Sequence, residues 1–169
     1  MEKSYKAYLH QITTFIFDVD GVLTDGSLHI TTDGQLHRTM NTKDGYAMKT
    51  ALQQGFNLCI ISGGTDEGVR SRLNTLGIAD VYLGAHHKVE QLDEYLSTHN
   101  INPEHVLYMG DDIPDYPVMK RIGLPACPQD AVKEIKEISK YVSHKNGGEG
   151  CVRDVIEQVL KVQEKWMVE

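Results

Sequence analysis

The chain has 169 residues, which is enough for one domain with a sizeable core and leaves little room for a second. Hydrophobic residues make up 40% and charged residues 24%, and no apolar run approaches the roughly 18 residues that a membrane span requires. The formal net charge of −7, with no basic block, argues against nucleic acid or an anionic membrane as a partner. We therefore expect one globular domain over 1–169 and, because the N-terminus lacks the apolar segment of a secretory signal, a cytoplasmic protein.

The cysteines indicate neither a metal site nor a disulfide framework. Cys59, Cys127 and Cys151 are far apart in the chain and form no C-x-x-C pair. Because Cys59 lies inside the apolar run at 57–61, we interpret it as a residue of the core.

Short apolar segments alternate with amphipathic ones along the chain. This alternation predicts an α/β fold with a doubly wound, mainly parallel sheet of the Rossmann-like kind. The apolar run at 15–17 is typical of a strand that is buried on both faces of such a sheet. Further strands are predicted at 56–61, 80–83, 106–109 and 141–142, and helices at 42–54, 66–76, 88–97, 116–122, 131–138 and 152–162.

Two alternating segments around a Thr-Asp-Gly turn predict a β-hairpin at about 27–40. Leu28, Ile30 and Leu36 would give this hairpin an apolar side, which a lone two-stranded ribbon cannot bury on itself. We therefore expect it to pack against the same element of other subunits in a closed homo-oligomer. Near the other end of the chain lies a glycine-rich segment at 146–153, of which 146–150 is interpreted as a flexible link.

Three of the predicted strands end in clusters of small or acidic residues. The first runs into Asp18 and Asp20, which alternation along an extended segment places on the same side. The second ends at Ser62-Gly-Gly-Thr, and another ends at the Gly-Asp-Asp-Ile-Pro-Asp segment, 110–115. Ligands of open α/β sheets bind at the carboxyl ends of the strands. Each cluster alone is an ordinary cap or turn, so it is their joint occurrence that indicates a site.

The segment Asp-Val-Asp-Gly-Val-Leu-Thr-Asp-Gly at 18–26 resembles the first motif of the haloacid dehalogenase superfamily of phosphotransferases, and the remaining motifs follow in order. The resemblance implies a role for each matching residue: the nucleophile Asp18, the acid–base residue Asp20, the phosphate-binding hydroxyl of Ser62, the charge-neutralising Lys88, and the metal ligands Asp18, Asp111 and the backbone carbonyl of Asp20. It also implies that Asp112 and Asp115 orient Lys88 and the water around the metal.

These residue types suit phosphoryl transfer. Attack on a phosphate monoester dianion is opposed by charge, and its transition state is stabilised mostly by positioning and by cations. Mg²⁺ prefers oxygen ligands and bridges a carboxylate to a phosphate, so it is the expected cofactor. An aspartyl-phosphate on Asp18 is the expected intermediate, and Asp20 would first donate a proton and then remove one.

The chain has no room for a cap domain after its first motif or between its second and third. The hairpin and the Gly-Gly-Glu-Gly-Cys-Val-Arg segment at 147–153 resemble the 3-deoxy-D-manno-octulosonate 8-phosphate phosphatases of lipopolysaccharide synthesis, and the resemblance extends over 12–160. It implies a homotetramer in which neighbouring subunits help to close the site. It also implies that the sugar-acid phosphate is bound by Gly63, Gly64, Arg72 and Arg153.

One position in the sequence leaves the identity of the sugar undecided. Octulosonate enzymes of this family often carry Gly-Arg after the second motif, and relatives that act on a nine-carbon sialic-type sugar acid 9-phosphate often carry Gly-Glu, whereas this chain has Gly63-Gly64. We predict a Mg²⁺-dependent phosphatase for the eight-carbon sugar acid, with the nine-carbon one as the alternative. A catalytically idle binding or regulatory module is disfavoured because every reactive position is intact.

Overall fold

Strand β1 (Thr14–Phe17) lies at the centre of a six-stranded sheet in the computed structural model, which describes residues 4–167. The other strands of this sheet are β4 (Asn57–Ile61), β5 (Asp80–Tyr82), β6 (Val106–Met109), β7 (Leu124–Cys127) and β8 (Tyr141–Val142). A separate antiparallel pair is formed by β2 (His29–Ile30) and β3 (Leu36–His37). The helices are α1 (Thr42–Gln53), α2 (Glu67–Thr75), α3 (Lys88–Thr98), α4 (Tyr116–Met119), α5 (Lys133–Ile138) and α6 (Cys151–Val162).

The strand order in the large sheet is β5-β4-β1-β6-β7-β8, and each neighbouring pair is parallel. From β1 the chain builds outward through β4 and β5, and it then crosses to the other side to form β6, β7 and β8. This reversal of direction opens a crevice at the carboxyl ends of β1, β4 and β6, which is where doubly wound sheets bind ligands. The predicted fold class, with a small hairpin in place of a cap domain, is confirmed.

Helices cover both faces of the sheet. Phe15 and Phe17 point to the face that is covered by α1, α2 and α6, whereas Ile16 and Tyr108 point to the face covered by α3, α4 and α5. Burial on both faces explains why β1 and β6 are almost continuously apolar in sequence. The polar residues that follow each strand therefore lie at the carboxyl edge of the sheet, where the buried segment ends.

The sequence predicts no strand at β7, because Pro125 lies within it and proline usually excludes a central strand. In the structure all four residues of β7 are buried, and Pro125 lies opposite Tyr108 of β6. The stabilisation from burying Pro125 between two neighbouring strands therefore outweighs the loss of the hydrogen bond that its missing N–H group cannot donate. Tyr46, an aromatic residue of α1, is exposed.

The hairpin predicted at about 27–40 is present, although its paired strands are short. Ile30 lies opposite Leu36 in the register of β2 and β3. Both side chains are exposed, as is that of Leu28. The apolar side that the sequence predicts is therefore uncovered in a single chain.

The glycine-rich segment before α6 packs against the turn after β1. The Gly148 N–H donates to the carbonyl of Val22 at 3.0 Å, and the Gly147 N–H donates to Asp130 Oδ1 at 2.9 Å. A Cβ at Gly147 would collide with the carbonyl of Gly21, so only glycine allows the two backbones to approach this closely. This packing differs from the flexible link that the composition predicts.

Two further expectations concern membranes and thiols. Across residues 4–167, no helix has both the length and the hydrophobicity that crossing a membrane would take. Cys59, Cys127 and Cys151 are buried and free, and the burial of Cys59 is the one that the sequence predicts. Burial raises the pKa of each of these thiols, which keeps them protonated.

Candidate active site

Four of the predicted site residues meet in the crevice at the carboxyl edge of the sheet. Asp18 directly follows β1, Asp111 and Asp115 follow β6, and Lys88 is the first residue of α3. One carboxylate oxygen from each of the three aspartates lies within 4.8 Å of the other two. Residues that are far apart in sequence therefore form one acidic cluster with a lysine beside it.

Lys88 bridges two of these carboxylates. Its Nζ atom lies 2.7 Å from Asp18 Oδ2 and 2.7 Å from Asp115 Oδ1. Asp115 is fully buried and also accepts hydrogen bonds from the Tyr108 hydroxyl at 2.7 Å and from the Asp111 N–H at 3.1 Å. Asp115 is thus held by three donors, and it is in turn placed to orient Lys88 toward Asp18.

The cluster carries excess negative charge, because one ammonium group faces three carboxylates. Burial, followed by the charge of Asp115, raises the pKa of Asp18 and raises that of Asp111 to about 7. Burial lowers the pKa of Lys88, but Asp18 and Asp115 more than offset this effect, so its pKa is raised and it stays charged. When all three carboxylates are ionised, two negative charges are left for another cation to neutralise.

A divalent cation fits these residues. Asp111 Oδ1 is buried and accepts no hydrogen bond from the part of the chain that the structure describes. Hard cations such as Mg²⁺ take carboxylate and carbonyl oxygens as ligands, which Asp18, Asp111 and the backbone of Asp20 can offer. Asp115 is equally close, but protein donors already bind both of its oxygens.

The turn after β1 makes room for this cluster. The chain turns over Val19–Leu23, where Asp20 and Gly21 have non-helical backbone angles, and Asp18 Oδ1 accepts the Val19 N–H at 2.7 Å. Gly21 has a φ of +84°, and a Cβ at this position would collide with the Asp111 carboxylate. Glycine is required here because it tolerates positive φ and lets Asp111 lie directly against the backbone.

Asp20 is held by an arginine of the hairpin. Arg38 Nε donates to Asp20 Oδ1 at 2.6 Å, and Arg38 Nη2 donates to Asp20 Oδ2 at 3.1 Å. The side chain of Arg38 is 7% exposed, and that of Asp20 is 37% exposed. Asp20 therefore lies at the open edge of the crevice, whereas Asp18 lies inside it.

The loop after β4 borders a cleft beside Asp20. Ser62 is buried, and its Oγ accepts the Gly64 N–H at 3.2 Å. The cleft has a volume of about 1170 Å³ and is lined by Gly63, Gly64 and Arg72 on one side and by the hairpin on the other. A volume of this order is sufficient for a small organic ligand.

Gly63, Gly64 and Arg72 are the predicted residues that line this cleft, whereas Asp112 and Arg153 belong neither to the cleft nor to the acidic cluster. Asp112 is exposed, and its Oδ1 accepts the Ile113 N–H at 2.8 Å, so it caps a turn and does not contact Lys88. The Arg153 guanidinium bonds to Glu157 at 3.1 Å and lies 5.3 Å from the ring of Trp166. Neither side chain lines the cleft of its own chain.

Two residues of the site are not identified by the sequence analysis. Tyr108 carries a buried hydroxyl in an otherwise apolar strand, two residues before Gly110, and that isolated polar group is a usable signal. Arg38 offers none, because in sequence it is one of several cations near the motifs. Its contact with Asp20 arises only when the hairpin folds back over the turn after β1.

Comparisons with known proteins agree with this fold. Residues 74–156 match the haloacid dehalogenase-like hydrolase family. Over 154 residues the chain is 38% identical to the 3-deoxy-D-manno-octulosonate 8-phosphate phosphatase KdsC of Salmonella typhi, covering 91% of this chain and 82% of that protein. The crystal structure of the Yersinia pestis phosphatase superposes with a TM-score of 0.94 at 33% identity, over 98% of this chain and 89% of that one.

A structure with ligands is also similar. The 3-deoxy-D-manno-octulosonate 8-phosphate phosphatase of Moraxella catarrhalis, in complex with a magnesium ion, a phosphate ion and KDO, superposes with a TM-score of 0.92 at 30% identity. The match covers 96% of this chain and 93% of that one. The doubly wound sheet and the aspartates at its carboxyl edge define a haloacid dehalogenase-like hydrolase.

Within that class, the 38% identity to the Salmonella typhi phosphatase, which extends over 91% of this chain, identifies the family. The chain belongs to the 3-deoxy-D-manno-octulosonate 8-phosphate phosphatase (KdsC) family. The family predicted from the sequence motifs is therefore confirmed.

Proposed function

We propose that this protein hydrolyses 3-deoxy-D-manno-octulosonate 8-phosphate (KDO 8-phosphate) to KDO and phosphate, with Mg²⁺ as its cofactor, in the synthesis of lipopolysaccharide precursors. The observation that carries the proposal is the buried Asp18 carboxylate, which Lys88 aligns inside a cluster that needs a further cation. The names of the relatives described above support the substrate, and the ligands of the Moraxella catarrhalis enzyme support both substrate and metal.

Asp18 is the proposed nucleophile. One of its carboxylate oxygens bonds to phosphorus, the ester bond between phosphorus and the sugar oxygen breaks, and the leaving alkoxide takes a proton from Asp20. Lys88 binds one oxygen of Asp18 and the Val19 N–H binds the other, so the carboxylate is oriented before the substrate arrives. This preorganisation lowers the cost of reaching the transition state.

The second half-reaction regenerates the enzyme. A water molecule attacks phosphorus, Asp20 removes its proton, and the bond between phosphorus and Asp18 breaks to release phosphate. Asp20 thereby recovers the proton that it gave to the alkoxide, so the cycle consumes one water. Its partial exposure, 37% of the side chain, gives this residue access to that water.

Charge neutralisation falls to the residues around the phosphoryl group. When bound, Mg²⁺ supplies positive charge for the phosphoryl oxygens, and Asp18, Asp111 and the carbonyl of Asp20 would hold it. Lys88 offsets the charge of Asp18 itself. The Ser62 hydroxyl and the backbone N–H groups of the Ser62-Gly-Gly loop would donate to the phosphoryl oxygens.

The choice of sugar is tested directly by comparing kcat/KM for KDO 8-phosphate and for the nine-carbon sugar acid 9-phosphate, with Mg²⁺ and with a chelator. The nine-carbon substrate stays a candidate because Gly64 presents no side chain to discriminate between them. We expect the higher kcat/KM for KDO 8-phosphate and loss of turnover with the chelator. A reversed preference would reassign the substrate, and no turnover of any phosphomonoester would favour a binding module.

We further propose a cytoplasmic homotetramer with one catalytic domain per subunit. The support for assembly is that Leu28, Ile30 and Leu36 are exposed on the hairpin, and that Leu36 also lines the open cleft. Closed symmetric association would bury equivalent surfaces on every subunit and shield the cleft from water. Arg72 and Arg153 would then bind the sugar acid in a site that two chains share. The three free thiols suit a reducing compartment.

A further inference from the structure

The pair between Arg38 and Asp20 is asymmetric. The distance from Arg38 Nε to Asp20 Oδ1 is 2.6 Å, whereas the distance from Arg38 Nη2 to Asp20 Oδ2 is 3.1 Å. Oδ1 is therefore the more tightly held oxygen. A guanidinium group that contacts both oxygens fixes the plane of a carboxylate as well as its position.

The more loosely held oxygen faces the loop after β4. A Cβ built on Gly64 would lie 3.6 Å from Asp20 Oδ2 and 3.6 Å from Ser62 Oγ. These two oxygens therefore border the same small space. In the proposed reaction this is the space beside the phosphoryl group, because Ser62 is one of its donors.

Gly64 and Asp66 help to hold the Arg38 guanidinium against Asp20. A Cβ at Gly64 would be only 3.0 Å from Arg38 Nη2, so the absence of a side chain leaves room for the arginine. Arg38 Nη1 lies 3.5 Å from Asp66 Oδ2, at the start of α2. These contacts leave the Arg38 side chain 7% exposed although it belongs to the hairpin.

We propose that Arg38 is a positioning residue for Asp20. Its Nε anchors Oδ1, which leaves Oδ2 beside the phosphoryl group to exchange the proton. This inference rests on the acid–base role that is proposed above for Asp20. The proton passes from Oδ2 to the leaving alkoxide in the first half-reaction and reaches Oδ2 from water in the second, while the longer contact with Nη2 opens and closes. The hairpin thus contributes to the rate of proton transfer as well as to the wall of the cleft.

The test compares two substrates that differ in their need for a proton donor. The sugar alkoxide of KDO 8-phosphate must be protonated as it leaves, whereas 4-nitrophenolate leaves 4-nitrophenyl phosphate as a stable anion. In Arg38→Ala we expect kcat for KDO 8-phosphate to fall about 100-fold, the scale expected for a misplaced catalytic group, with little change in KM. The initial burst of 4-nitrophenolate should keep the rate of the parent enzyme.

Three further variants sharpen the result. Arg38→Lys keeps one charged contact and should restore part of kcat. Gly64→Ala displaces the guanidinium without removing it, so it should lower kcat in the same direction and add little to Arg38→Ala, since both changes act on one contact. It also supplies the test if Arg38→Ala does not fold. Arg121→Ala is the matched control, because it removes an exposed arginine paired with Asp93, outside the crevice.

Three results would overturn the proposal. A raised KM with an unchanged kcat would make Arg38 a substrate-binding residue, and an equal loss in the burst and in kcat, together with a lower melting temperature, would make it a structural one. The Asp20→Asn variant distinguishes failure of this proposal from failure of the acid–base role of Asp20, on which it rests. If Asp20→Asn keeps full activity, the acid–base role itself fails, whereas an impaired Asp20→Asn beside a fully active Arg38→Ala rejects the positioning role alone.

Discussion

The two aspartates that follow β1 are held by different parts of the molecule. Asp18 is buried and bound by Lys88, which the fully buried Asp115 holds in turn, so the core of the sheet sets its position. Asp20 is 37% exposed and is bound by Arg38, a residue of the hairpin outside the main sheet. The nucleophile half of the site is thus built into the core, and the proton-transfer half depends on an added element.

This difference suits the chemistry of each residue. A nucleophile benefits from a fixed orientation in a site that excludes water, because the charges around it then need no rearrangement. A group that gives a proton to a leaving group and takes one from water needs access to both. Changes in the core should therefore affect the nucleophile and the stability, whereas changes in the hairpin should affect proton transfer and the binding of the sugar.

Asp18→Asn tests the nucleophile half and should have the largest effect. We expect kcat to fall by about 10⁴-fold or more, since the amide cannot form the phosphorylated intermediate. The melting temperature should not fall, because the change removes a negative charge from a buried cluster that has too many. Turnover above a few per cent in a purified sample, free of parent enzyme, would contradict the assignment.

The chain that follows the hairpin offers a test through the pH dependence of stability. It leads into α1, where Asp44 is buried, accepts the Arg153 N–H of α6 at 2.8 Å and has its second oxygen unpartnered within residues 4–167. Burial raises the pKa of Asp44 to about 6, from 3.8. The folded protein therefore holds this proton more tightly than the unfolded chain, and the resulting stability, complete below pH 3.8, is lost as the pH rises through about 6.

Asp44→Asn should remove this dependence. Relative to the parent, the free energy of unfolding of the variant should rise by roughly 3 kcal/mol between about pH 3 and pH 7, since each unit of pKa shift corresponds to about 1.4 kcal/mol. Urea unfolding at several pH values measures the difference. A difference that stays constant across this range would show that the Asp44 carboxyl does not titrate as its burial implies.

Tyr108→Phe tests how firmly the core holds Lys88. The change removes one of the three donors to Asp115 and should lower the free energy of unfolding by about 2 kcal/mol, as for a hydrogen bond to a charged group. We expect kcat to fall less than about tenfold, because Lys88 keeps both of its carboxylate partners. A loss of kcat as large as that of Asp18→Asn would mean that Tyr108 takes part in the reaction.

Ile30→Glu tests the hairpin half. The charge should prevent association through the apolar side, give a smaller species in sedimentation and raise KM for KDO 8-phosphate roughly tenfold, equivalent to about 1.4 kcal/mol. His29→Glu is the matched control, since neighbouring residues of a strand point to opposite sides. If both variants keep the same assembly and KM as the parent, the apolar side has no part in closing the cleft.

The contrast between the two halves also explains what the sequence could predict. Strand ends and an Asp-x-Asp pair are local patterns, so the alternating fold and the meeting of Asp18 with Asp111 follow from them, whereas Lys88 is predicted only through the resemblance to a family motif. Contacts between side chains of separate elements have no such local signature. For that reason the pair of Arg38 and Asp20 becomes apparent only in three dimensions.

The remaining differences have the same cause. Pro125 argues against a strand when only local propensity is considered, but β6 and β8 enclose it in the sheet. The glycines before α6 suggest a free segment, yet their lack of side chains is what allows close packing on the turn after β1. Asp112 belongs to the same acidic segment as Asp115, but it faces solvent because the intervening turn points it away from Lys88.

The central claim is that Asp18 carries the phosphoryl group while Asp20 moves the protons. The most direct test is a single-turnover reaction of the Asp20→Asn variant with 4-nitrophenyl phosphate and Mg²⁺, quenched in acid and analysed by mass spectrometry of the peptide that contains Asp18. Because 4-nitrophenolate leaves without a proton, the first step should proceed while hydrolysis is slowed. We predict a stoichiometric burst of 4-nitrophenolate with phosphate attached to Asp18, and release of both products in step, with Asp18 unmodified throughout, would contradict the claim.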